Sequence, residues 1–168
     1  MTGFLYSGLL LLLLPIQATF LEHISLVGVK PDLCLVATCL VGYLGGRTRG
    51  LWVGMGLGFI QDIYSAGGIG LNMITKGVVG VVSGTAPKIL SDTTPPAIFL
   101  PTLVLSFSCG LVSFISARPQ VDWMLIIQDF QSILLPQALL DGVTAFGIHW
   151  VIAKYLPRFS VLVPSSLR

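Results

Sequence analysis

The sequence predicts an all-α integral membrane protein, folded as a compact bundle of about six transmembrane helices. Three observations carry that reading. Of the 168 residues, 54% are hydrophobic and only 10% charged, where soluble domains carry roughly 25%. The mean hydropathy is +0.92, and uncharged runs, such as 3–21 and 93–117, reach the ~20 residues that a bilayer-spanning helix needs. Glycines recur at four-residue spacing inside the apolar runs, the pattern by which membrane helices approach one another. The whole chain, 1–168, reads as one transmembrane domain.

The first span is expected over 3–21. It has no basic residue at its start and no clear small-x-small cleavage site before Glu22, so it reads as a retained helix and not as a signal peptide. A polar connection follows, in which Pro31 and Asp32 suit a helix start. The second span covers 33–46 and ends at Gly45-Gly46, ahead of a basic loop containing Arg47 and Arg49. The third covers 50–64, and the cluster SAGGIG after it favours a turn. The fourth covers 71–87, the fifth 96–117 and the sixth 134–155. Segment 119–133, with Asp122, Trp123 and Asp129, is too charged to span and reads as interfacial.

With six spans, Arg47, Arg49, Lys88, Lys154, Arg158 and Arg168 fall on one side. Lys30 and Arg118 fall on the other, among Glu22, Asp32, Asp122 and Asp129. Positive charge collects in the cytoplasm, so both termini are expected there. Five spans would separate Arg47 and Arg49 from the basic C-terminus.

Gly50, Gly54 and Gly58 share one face of the third span, and Gly80 and Gly84 one face of the fourth; both faces read as helix-packing surfaces. Ser106, Gly110 and Ser113 do the same in the fifth. The string GMGLG lacks the preceding strand that a dinucleotide-binding turn requires. Cys34, Cys39 and Cys109 lie in apolar stretches without C-x-x-C spacing and read as small buried residues.

Charges within a membrane are costly and are therefore functional candidates. Asp62 near the end of the third span, Lys76 early in the fourth and Asp141 early in the sixth fall in the outer half of the bilayer. They are placed to form a polar cluster with Lys76 between two carboxylates; alternatively Lys76 snorkels and Asp62 meets water. Gln61 and Asn72 adjoin them as candidate structural or partner-binding groups. His23 and His149 lie on opposite sides, and no zinc, acyl-transfer or phosphate-binding motif is present. Neither catalytic residues nor a cofactor or metal are expected. A net charge of +2 without a basic run gives no indication of nucleic acid.

From Val29 to Leu156 the chain resembles the rod shape-determining MreD family. The resemblance rests on Pro31-Asp32 opening the second span, on Gly58, Phe59, Gln61 and Asp62 ending the third, and on Gly67, Gly68, Gly70, Leu71 and Asn72 leading into the fourth. The L-P-x-A-L-L run at 135–140 adds to it, while Lys76 and Asp141 stand outside the pattern. The resemblance implies a non-enzymatic, multi-pass protein of the bacterial cytoplasmic membrane. It would act as a scaffold beside MreC, its most direct partner, and with MreB, RodA and the RodA transpeptidase in lateral peptidoglycan synthesis. The family is also similar to the substrate-binding subunits of energy-coupling-factor transporters. A vitamin-binding membrane subunit is therefore the alternative function, with an external pocket lined by residues 65–70 and the polar groups below them.

Overall fold

Asp32 opens the first described helix of the computed structural model, which describes residues 29–64, 70–87, 95–117 and 130–155. The predicted span 3–21, the turn residues Gly67 and Gly68, most of segment 119–133 and both termini lie outside the described residues. Helix α1 runs Leu33–Gly45, and the Asp32 carboxylate caps it by accepting from the Leu35 amide at 3.0 Å. Gly46, at φ 87°, then reverses the chain within one residue. Helix α2 accordingly spans Arg47–Tyr64. The residues predicted as a basic loop are its first turn, because a left-handed glycine alone supplies the reversal.

Helix α3 is Leu71–Ser83, preceded by Gly70 at φ 105°. Helix α4 is Pro95–Ala117, with Pro101 inside it. A π-helical turn, Phe130–Leu134, leads without a break into α5, Leu135–Tyr155. Residues 130–133, assigned from sequence to the interfacial segment, thus belong to the last helical run. Phe130 meets Phe107 of α4 edge-on at 5.2 Å, and buried Leu134 holds the turn down. All described elements are helical.

Helix α1 is the central element. Val36, Leu40 and Tyr43 pack with Ile98 of α4 and Ala145 of α5, while Leu35 and Cys39 pack on Val79 of α3. Around it α2 lies along α3, and α4 along α5, whereas α3 and α4 barely touch. The α2–α3 seam is backbone on backbone. A Cβ on Gly50 would strike the Gly80 carbonyl, and one on Gly80 would strike the Gly50 backbone. Gly54 faces the Lys76 carbonyl, Gly58 faces Asn72, and Gly84 faces the Arg47 backbone in the same way.

Among the described residues, several charged and polar side chains are buried beside the apolar core while large apolar ones stand exposed. Asp62, Lys76, Ser106, Asp141 and His149 are buried, while Trp52, Ile63, Ile74, Val104 and Trp150 stand exposed. A bundle surrounded by lipid requires this arrangement, since apolar side chains lose nothing by facing acyl chains and polar ones must find partners inside. Ser108 and Thr144 donate to the carbonyls of Val104 and Leu140, one turn back, whereas the buried Thr102 hydroxyl and His149 Nδ1 have no hydrogen-bond partner among the described residues. Within α4, Pro96–Ser116 is long and apolar enough to cross a membrane. Helices α1 and α3 are apolar but only 13 residues each.

Candidate functional site

Polar residues from four of the described helices, α2 to α5, meet the Asp32 cap of α1. Two groups form there. The first is centred on Asp62, in the last turn of α2. Its carboxylate accepts from the amides of Gly70 (2.9 Å), Asn72 (3.0 Å) and Met73 (3.1 Å), and from the Asn72 side-chain amide (2.9 Å). The start of a helix leaves amides without intrahelical acceptors and carries a partial positive charge. Asp62 supplies the missing acceptor from the neighbouring helix, because Gly70 at the N-cap has no side chain to do so.

The second group is centred on Lys76. Its ammonium pairs with the Asp32 carboxylate at 2.8 Å and donates to the Gln61 carbonyl. Asp32 in turn donates its backbone N–H to Asp141 at 2.7 Å, and Asp141 also accepts from the Ser106 hydroxyl. Lys76 thus pairs with Asp32, and not with either carboxylate that the sequence set around it. Asp141 joins the group through Asp32 and Ser106 instead. One chain of contacts runs Gln61–Lys76–Asp32–Asp141–Ser106 and links α2, α3, the cap of α1, α5 and α4.

Sequence reasoning assigned Asp32 to capping and Ser106 to packing. Both do more. Asp32 lies before the second span on the same predicted side as the start of the fourth, and this was the available signal for its pairing with Lys76. The stripe Ser106, Gly110 and Ser113, taken as a packing face, borders a cavity of about 370 Å³ between α3 and α4. Asp32, Gln61, Asn72, Thr75 and Lys76 line it on one side. Leu35 of α1 adds to them, and Ser106, Ser113 and Phe114 of α4, Ile133 and Leu134 of the π-helical turn and Gln137 of α5 complete the lining.

Removing one member of a buried ion pair strands the other charge, at a cost of several kcal/mol. Lys76→Met is accordingly expected to destabilise the bundle by roughly 3 kcal/mol. The double variant Lys76→Met/Asp32→Asn should recover much of that loss in thermal unfolding of the purified protein. Equal unfolding midpoints for wild type and Lys76→Met would show that the pair contributes nothing.

Among the described residues no group of three or more His, Cys, Asp or Glu could hold a metal ion. A family model described as rod shape-determining protein MreD matches residues 2–159. No curated protein and no solved structure matches the chain.

Proposed function

Since the chain belongs to the MreD family of rod shape-determining proteins, we propose that it is a non-enzymatic membrane scaffold of the bacterial cell-elongation machinery. It crosses the cytoplasmic membrane six times with both termini inside, in a bundle like that of energy-coupling-factor substrate-binding subunits. It acts with MreC directly, and with MreB, RodA and the RodA transpeptidase in peptidoglycan synthesis. The family match over 2–159 carries this reading. The use of the buried charges supports it: both oxygens of Asp32, Asp62 and Asp141 accept hydrogen bonds that join helices or cap them. Depletion of the protein should turn rod-shaped cells round, and the tagged protein should co-purify with MreC. Normal rods after complete depletion, with MreC still in place, would overturn the reading.

The cavity favours one alternative, a small-molecule-binding subunit of a vitamin transporter. Its described wall offers a single aromatic ring, Phe114, for stacking on a vitamin. Adjacent genes separate the two: mreB and mreC for the scaffold, a pair of transport ATPases for the alternative.

A further inference from the structure

The cavity between α3 and α4 has a composition that selects among ligands. Lys76 and Asp32, the two charged residues in its described wall, neutralise each other at 2.8 Å. An ion entering the cavity would bring a charge that these groups are not free to balance. The other polar groups are amides and hydroxyls. Gln61 gives its carbonyl to Lys76 and keeps its amide N–H groups for donation. Asn72 gives its side-chain N–H to Asp62 and keeps its carbonyl for acceptance. A donor and an acceptor thus stand on the same wall, complementary to groups that both donate and accept, which hydroxyls do. Ser113 of α4 and Gln137 of α5 repeat that mixture, with the apolar Phe114, Ile133 and Leu134 from the same two elements and the turn between them.

We propose that this cavity binds the uncharged, hydroxyl-bearing head of an amphiphile, its apolar part lying along α4 and the start of α5. The volume of about 370 Å³ lies within the usual range for ligand sites. At ~30 Å³ per water, it equals the space of about a dozen waters. Among the described residues, α3 and α4 make only slight contact beside the cavity. The ligand class covers both a glycolipid and a free alkyl glycoside.

The test is equilibrium binding of a fluorescent monoglucosyl diacylglycerol to the full-length protein in a non-glycosidic detergent. Unlabelled probe, octyl glucoside, phosphatidylglycerol and phosphatidylethanolamine serve as competitors. Binding should be saturable, displaced by the glucosyl compounds and indifferent to the two ionic lipids. Displacement by octyl glucoside identifies an alkyl glycoside as sufficient; displacement only by the diacyl compound identifies a lipid ligand, and either supports the site. Ser113→Phe fills the cavity and Gln137→Leu removes a hydrogen-bonding wall group. Each should weaken binding by about tenfold or more while the unfolding midpoint stays near that of the wild type. Absence of saturable binding, equal displacement by the ionic lipids, or wild-type affinity in a folded Gln137→Leu protein would overturn the proposal. The scaffold role is read from cell shape and MreC co-purification, so it stands or falls separately.

Discussion

Gly80→Val is expected to abolish accumulation of the folded protein in the membrane. A Cβ at this position falls on the carbonyl and Cα of Gly50, which are backbone atoms of the facing helix. No rotamer change can relieve that overlap, so α2 and α3 must separate along their shared seam. Overpacking of a core costs typically 1–3 kcal/mol where side chains can yield; backbone against backbone lies at or beyond the upper end. Gly56 provides the control, since it is exposed on the facing helix α2 and a Cβ there meets nothing within 4 Å. Gly56→Ala should leave the protein intact, or stabilise it by up to about 1 kcal/mol through helix propensity. Immunoblots of membranes and size-exclusion profiles of the extracted protein measure both. Wild-type levels of monodisperse Gly80→Val protein would refute the close seam.

Asp62→Ala is expected to unfasten the other end of the same hairpin. Four N–H groups lose their acceptor at once. Hydrogen bonds to a charged group contribute about 1.5–3 kcal/mol each, but groups sharing one acceptor are far from additive. A loss on the order of 3 kcal/mol is expected. Asp62→Asn, which keeps one carbonyl oxygen, should fall between alanine and wild type. The measurements are the thermal midpoint of the purified protein, and complementation of rod shape with MreC retention in cells. An alanine variant that matches wild type in both would reduce the hairpin to a turn without a fastening role.

The pattern within single helices was readable because it depends on local spacing. Asp32 before an apolar run announces a cap, and Gly50, Gly54 and Gly58 at four-residue intervals announce a face. The ends were less readable. Arg47 and Arg49 look like a loop because they are charged, and only the backbone angle at Gly46 places them inside α2. Partners across the bundle were the least readable. Lys76 and Asp32 are 44 residues apart, and Ser106 and Asp141 are 35 apart. Their meeting depends on how the other four described helices rotate and cross about α1, which no periodicity encodes. An external pocket was part of the alternative reading, but the share that Ser106, Gly110 and Ser113 take in its lining was not legible: a small-residue stripe brings helices together where a neighbour fits, and leaves a hollow where none does.

The hydrogen bond from the Asp32 amide to Asp141 joins groups 109 residues apart. A ribosome adding 5–20 residues per second delivers the second group roughly 5 to 20 s after the first. During that time α1, α2 and α3 are already made, with Lys76 and Asp32 able to pair, but the acceptor carried by α5 is missing. The polar interior therefore stays incomplete until the last helix is inserted. A chain that stops short of Asp141 lacks the acceptor that α5 brings to the Asp32 amide, so the polar interior closes only when synthesis has passed that residue.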